Sequence, residues 1–219
     1  MKKFNTFVFD LDGTLLDTLP DLVVLTNRVL ERHGFPPRTK DEIHSYVGNG
    51  AKALIYQAVP EGTSPQEAEA TLEDWKKEYN VYGNDLTKPY PHMVETLKDL
   101  KQRGCKLGVL SNKFHDGVTQ IINQCLPGLF DVMHGEGDGF PRKPDPTGLL
   151  KTIKELDSTI EDTAYVGDSP YTDVQTALKA GVFAVGVTWG YHTKQDFEQS
   201  QFKPDMLIDD PLQLLTIAI

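Results

Sequence analysis

Short apolar runs alternate with helix-period stripes along most of the chain. Five runs stand out: Thr6-Phe7-Val8-Phe9, Lys106-Leu107-Gly108-Val109-Leu110, Phe130-Asp131-Val132-Met133, Thr163-Ala164-Tyr165-Val166 and Phe183-Ala184-Val185-Gly186-Val187. Each is largely apolar and leads within two residues into Asp, Ser, Gly or Thr, which predicts strands of a parallel sheet covered on both faces. Between them the period changes to that of helices near residues 92–103, 116–125, 146–156 and 171–180, the last closed by Lys179-Ala180-Gly181. A sixth run, Met206-Leu207-Ile208, precedes a helix started by Pro211. Strand and helix in alternation predict an α/β fold with a parallel sheet.

Residues 17–82 break the rhythm, with helical stripes and no convincing strand. One stripe is Leu22, Leu25, Val29 and Leu30; the next is Ala51, Leu54, Ile55 and Ala58; the third is Ala68, Leu72, Trp75 and Tyr79. An ordinary βα connection takes about 2–6 residues. The stretch is therefore expected to be an α-helical domain, residues 17–83, inserted into an α/β domain of residues 1–16 and 84–219. Its return passage, from Tyr82-Gly83-Asn84-Asp85 to Lys88-Pro89-Tyr90-Pro91, has the punctuation of a hinge.

Composition narrows the partners. With 22 basic and 32 acidic residues the 219-residue chain carries a formal charge of −10. No basic block offsets it, which argues against nucleic-acid or anionic-membrane binding. An anionic ligand must then be captured by local positive groups, because exposed charges are screened over about 8 Å. Cys105 and Cys125 make neither a disulfide framework nor a metal cluster and suit a reducing compartment. The apolar start is cut by Asp10 and Asp12 and no membrane-length run exists, so a cytoplasmic location is expected.

Ligands of open parallel sheets collect beyond the carboxyl ends of the strands. Those ends read Asp10-Leu11-Asp12-Gly13-Thr14, Ser111-Asn112-Lys113, Arg142-Lys143-Pro144 after a Gly-rich loop, Gly167-Asp168-Ser169 with Asp173 beyond, and Thr188-Trp189-Gly190-Tyr191. Taken singly, an Asp-x-Asp is common in turns, a Ser-Asn often caps a helix, and Gly-Asp-Ser is a frequent turn. Their placement at successive strand ends points to chemistry. Asp10, Asp12 and Asp168 together repel strongly unless a cation joins them, and hard carboxylate oxygens beside phosphate suit Mg²⁺. Lys143 and the Ser111 hydroxyl supply charge and a donor for phosphate oxygens, and Gly13 lets backbone N–H groups approach. A carboxylate against phosphorus can act as nucleophile, and a second two residues on can move the proton.

FDLDGT at 9–14, Ser111-Asn112, Lys143-Pro144 and GDS with a following Asp resemble, in order, the four motifs of the haloacid dehalogenase-like superfamily of aspartate-nucleophile phosphohydrolases. The resemblance implies a Rossmann-like sheet ordered 5-4-1-2-3, with the insert as its C1 cap. It implies Asp10 as nucleophile and metal ligand, and Asp12 as general acid/base ligating metal through its carbonyl. Ser111 would bind the transferring group, with Asn112, Gly13 and Thr14 beside it. Lys143 would neutralise the charge of that group and of Asp10, and Asp168 would be the direct Mg²⁺ ligand. Relatives place the second acid of the last motif four residues after the first, whereas Asp173 follows Asp168 by five. Asp173 is thus either a ligand or a neighbour of one. Asp12 sets aside dehalogenases, phosphonate-cleaving members and ion-pumping ATPases, which lack a carboxyl there.

Asp17-Thr18-Leu19-Pro20-Asp21, Val47-Gly48-Asn49-Gly50-Ala51 and Gly186-Val187-Thr188-Trp189-Gly190-Tyr191 look most like the phosphoglycolate phosphatase branch. The expected activity is Mg²⁺-dependent hydrolysis of small phosphomonoesters, 2-phosphoglycolate first, by a monomer or homodimer. A sugar-phosphate mutase, a pyrophosphatase or nucleotidase, and a non-catalytic phospho-ligand sensor are the alternatives. The turn Gly48, Asn49 and Gly50 is either a carboxylate cradle at a helix N-terminus or a packing turn. Lys52 and Arg28 could assist a carboxylate but default to surface positions, and His115 and His192 follow strand ends closely enough to touch substrate.

Overall fold

The computed structural model describes residues 2–82 and 84–219, so Gly83 of the expected return passage and Met1 lie outside it. The elements in order are β1 (Thr6–Phe9), β2 (Leu16–Asp17), α1 (Leu19–Arg32), α2 (Lys40–Tyr46), α3 (Gly50–Ala58), α4 (Pro65–Tyr82), β3 (Lys88–Pro89) and α5 (Met93–Gln102). There follow β4 (Lys106–Phe114), α6 (His115–Cys125), β5 (Val132–Glu136), α7 (Thr147–Glu155), β6 (Thr163–Gly167) and a π-helical turn (Pro170–Val174). The chain then runs through α8 (Gln175–Ala180), β7 (Phe183–Val187), α9 (Lys194–Gln199), β8 (Met206–Ile208) and a 3-10 turn (Pro211–Thr216). Among the described residues no helix is long and apolar enough to cross a membrane.

Six strands form one parallel sheet in the order β5-β4-β1-β6-β7-β8. With β1, β4 and β5 as first, second and third, and β6 and β7 as fourth and fifth, the row read from β7 is 5-4-1-2-3, the expected order. β8 extends the edge beside β7. Side chains alternate between faces, as strand geometry requires. Phe7, Phe9, Leu107, Val109 and Val166 pack with α5 and α6 on one face. Val8, Leu110, Tyr165 and Ala184 pack with α7, α8 and α9 on the other. A third cluster belongs to α1–α4 and contains all three predicted stripes, with Trp75 and Tyr79 fully buried.

Three expectations shift. The strand expected over 130–133 is displaced to Val132–Glu136, because Asp131 accepts the Leu107 N–H at 2.8 Å and turns the chain before pairing begins. The region of three stripes holds four helices; α2 buries only Ile43, too little to make a stripe, and is set by its Thr39–Glu42 capping box. A two-stranded antiparallel ribbon of β2 and β3 joins the passages into and out of the helices, each strand too short to show a period.

Asp21 fastens that ribbon to α1. Its carboxylate accepts the N–H groups of Leu86 (3.0 Å) and Thr87 (2.6 Å) and the Thr87 hydroxyl (2.6 Å). Asp21→Ala leaves these donors unpaired in a buried place, and is expected to cost about 3 kcal/mol, or roughly 9 °C in melting temperature. Asp21→Asn, which keeps an acceptor, should lose clearly less in the same thermal melt; equal losses would show that packing, not these bonds, holds the passage.

Candidate active site

The site is assembled from irregularities at strand ends. On β4, Leu110 pairs with His134 and Phe114 with Glu136, so a step of four residues on one strand matches a step of two on the other. Ser111, Asn112 and Lys113 occupy this bulged stretch, where side chains leave the regular alternation. The Ser111 hydroxyl accepts the Lys113 N–H at 3.1 Å, which leaves its own hydrogen for another acceptor.

Asp10 follows β1, Asp168 follows β6, and Asp173 lies in the next turn; one carboxylate oxygen from each lies within 4.8 Å of the others. All three are buried. Lys143 reaches this cluster from the loop before α7, with its Nζ 2.7 Å from Asp10 Oδ1, 2.6 Å from Asp173 Oδ1 and 3.0 Å from the Tyr165 hydroxyl. The other oxygen of Asp10 carries no hydrogen bond among the described residues. Burial, reinforced by Asp173, pushes Asp10 up to about 7 despite Lys143, and burial with the same neighbours holds Asp168 well above the carboxylate range. Burial opposes the Lys143 ammonium, but Asp10 and Asp173 outweigh it and keep its proton firmly bound. When all three carboxylates are ionised, one ammonium leaves an excess of two negative charges, which one divalent cation would balance. An all-oxygen donor set suits Mg²⁺.

The five-residue step from Asp168 to Asp173 is absorbed by the helix that carries it. Both the Asp173 and Val174 N–H groups donate to the Ser169 carbonyl, at 3.0 and 3.1 Å, and the second bond closes a π-turn. The wider turn returns Asp173 to the cluster, where it accepts the Ser169 N–H at 3.0 Å as well as Lys143 and Tyr165. Both Asp173 oxygens are thus engaged by protein donors, Lys143 among them.

Asp168 is cradled by residues of two other strand ends. It accepts the Tyr191 N–H at 2.7 Å and the Thr14 hydroxyl at 3.3 Å. Thr14, expected beside the substrate, is fully buried and turned to Asp168 instead, its own carbonyl held by Trp189 Nε1 at 3.0 Å. The Gly13 N–H itself donates within the loop to Leu16 O at 3.0 Å. The glycine is required because φ is +84° and an added Cβ would lie 2.4 Å from Asp168 Oδ2.

Asn112 is committed to the backbone. Its Oδ1 accepts the Lys143 N–H at 2.8 Å, and its Nδ2 donates to Lys143 O at 3.1 Å and Gly48 O at 2.9 Å. Through its side chain it fixes Lys143 and fastens the loop before α3, while it also lines the cavity expected to hold the substrate. Arg142 holds the same loop through Asn49 O. Gly48, Asn49 and Gly50 line one wall of a cavity of about 530 Å³ whose floor carries Asp10, Asp12, Ser111, Lys143 and Asp168. His192 lines it too, whereas His115 does not; Lys52 and Arg28 pair away from it with Glu69 and Glu78.

Asp12 stands apart from the acid cluster. Its Oδ1 accepts the Thr18 hydroxyl at 2.6 Å and Lys113 Nζ at 3.2 Å, and Tyr191 bonds Thr18 in turn at 2.9 Å. Lys113, Tyr165, Thr18 and Tyr191 were not singled out from sequence. For Lys113 a signal exists, since a lysine interrupts the otherwise uncharged end of β4 beside Ser111-Asn112.

The match with known proteins follows the same outline. The profile for haloacid dehalogenase-like hydrolases matches residues 7–187. Phosphoglycolate phosphatase 1 of Pseudomonas aeruginosa is 34% identical over 217 residues, covering 96% of this chain and 78% of its own length. The phosphoglycolate phosphatase of Vibrio cholerae is 32% identical over 227 residues, covering 100% and 99%. Among solved structures, a predicted phosphoglycolate phosphatase from Haemophilus somnus superposes with a TM-score of 0.89 at 30% identity, over 99% of both chains. With its four motifs gathered at one end of a 5-4-1-2-3 sheet, this chain belongs to the haloacid dehalogenase-like hydrolase family.

Proposed function

We propose that the protein is a Mg²⁺-dependent phosphatase that hydrolyses small phosphomonoesters, 2-phosphoglycolate foremost, through an aspartyl phosphate on Asp10. The observation that carries this reading is the convergence of Asp10, Asp168, Asp173 and Lys143 on the cavity that Asp12 also lines. The named relatives support the choice of phosphoglycolate. Asp10 and Asp168, with the Asp12 carbonyl, would hold the metal, which supplies Lewis-acid neutralisation of the phosphoryl oxygens when bound.

The free oxygen of Asp10 attacks phosphorus while the bond to the ester oxygen breaks. Asp12 delivers its proton to the departing alcohol, then takes one from the water that attacks the acyl phosphate. Phosphate leaves and Asp10 is restored. Ser111 donates to a phosphoryl oxygen, and Lys143 balances the charge of Asp10 and of the phosphoryl group as the mixed anhydride forms. Residues 17–83 act as the cap that excludes water during this sequence. The two free cysteines support a reducing, cytoplasmic setting.

The test is phosphate release from 2-phosphoglycolate, hexose phosphates, pyrophosphate and nucleoside monophosphates, each with Mg²⁺ and with EDTA. Mg²⁺-dependent release, fastest with 2-phosphoglycolate, is expected; release unaffected by EDTA would refute the reading. A binding test runs alongside. Mg²⁺ at about 100 times its Kd should stabilise the fold by about 2.7 kcal/mol. Because Asp10 holds its proton up to about 7, the metal must displace that proton at pH 5 but not at pH 8, so the rise in melting temperature should be larger at pH 8. Asp168→Asn should remove the rise at both pH values.

A further inference from the structure

We infer that Lys113 recognises a second anionic group on the substrate, selecting phosphomonoesters whose leaving alcohol carries a carboxylate close to the ester carbon. This rests on the phosphatase reading above and names the residue that would choose among its substrates. Lys113 lines the cavity yet is only 7% exposed, a placement that lysine tolerates only with partners. Two lysines line that cavity. Lys143 is committed to two carboxylates and a phenol, within the phosphoryl end of the site. Lys113 has one carboxylate partner, Asp12, and otherwise rests over the Tyr79 ring at 4.6 Å. An ammonium carries three donors, and Asp12 accepts one of them at 3.2 Å.

Among the described residues no ammonium or guanidinium besides those of Lys113 and Lys143 lines the cavity, where the imidazoles of His44 and His192 and the start of α3 could also meet an anion. The opposite wall is neutral, made by Val47, Asn49, Ala51, Leu54 and Trp75, and burial holds the imidazole of His192 below its usual range. Lys113 is held as a cation by its ion pair with Asp12 at 3.2 Å and by the Tyr79 ring 4.6 Å from its Nζ. Position then sets reach. In the proposed reaction Asp12 faces the ester oxygen, and Lys113 Nζ is 3.2 Å from Asp12. A carboxylate one carbon beyond the ester carbon falls beside Nζ, whereas an uncharged alcohol leaves those donors unused. Tyr79 belongs to α4, and its ring packs edge-on against Phe114 at 5.1 Å, so this cation is seated where the helical insert meets the sheet.

The test compares 2-phosphoglycolate with 2-hydroxyethyl phosphate, which has a hydroxymethyl group where the first has a carboxylate. The quantity read is the ratio of kcat/KM for the two esters. The natural enzyme should favour the carboxylate by about 100-fold or more, and Lys113→Met should remove most of that preference, chiefly through KM for the charged ester. Lys113→Arg keeps the charge and should keep most of the ratio even where both rates fall. An unchanged ratio in Lys113→Met, with both rates falling together, would show that Lys113 only positions Asp12 and would overturn the inference. So would a natural enzyme that hydrolyses both esters without preference. Failure to hydrolyse either ester with Mg²⁺ would instead sink the phosphatase reading and this inference with it.

Discussion

Replacing Asp10 with asparagine is expected to lower turnover by more than about 10⁵-fold and to leave no phosphorylated protein. The substitution is nearly isosteric. Asn retains an oxygen to accept the Lys143 bond now made at 2.7 Å to Oδ1, so the fold should persist. What disappears is the unbonded carboxylate oxygen that the reaction needs as a nucleophile. Mass spectrometry of quenched enzyme decides the matter. The natural protein should carry the added mass of one phosphoryl group on the peptide containing Asp10, and the variant none. Phosphoryl transfer to that peptide in the Asp10→Asn protein, or turnover within about tenfold of normal, would exclude the assignment.

The second large effect is expected at Asp12, and its character differs. Asp12→Asn should lower kcat on alkyl phosphates by about 10²–10⁴-fold with little change in KM, because a proton donor acts on the leaving oxygen and not on binding. An aryl phosphate departs without help, so its first step should survive. Its second step should not, since the attacking water also needs a base. The Asp12→Asn protein given p-nitrophenyl phosphate is therefore expected to release one burst of p-nitrophenolate and then stall as the phosphoenzyme. A steady rate with no burst, or an alkyl phosphate turned over normally, would remove Asp12 from proton transfer.

The strand ends were legible because burial and chemistry use different residues. Phe7, Phe9, Leu107 and Val109 have to be apolar to lie between helices, so Asp10 and Ser111 stand out soon after them. The three stripes of the helical insert were legible for the same reason. What escaped notice was set by bonds rather than period. Ile43 alone does not mark α2, and two-residue strands such as Leu16–Asp17 have no alternation to read. Within the site, sequence identifies which groups are present but not their partners. Thr14 and Asn112 sit inside the motifs yet face Asp168 and the Lys143 backbone, respectively. Lys113 stands in the sequence as a charge at the end of β4, but its partner is known only once its ammonium is found beside Asp12.

The π-turn at Pro170–Val174 carries a lesson about how such motifs are recognised. A search pattern that counts residues would score the extra position after Gly167-Asp168-Ser169 as a defect. The chain tolerates it because hydrogen-bond ring size is adjustable: one enlarged loop of the coil takes up a whole residue and delivers the next carboxylate to the same neighbours. Spacing within a catalytic signature is thus a property of the coil that bears it, and a gap of one at this point argues for a wider ring sooner than for a lost function.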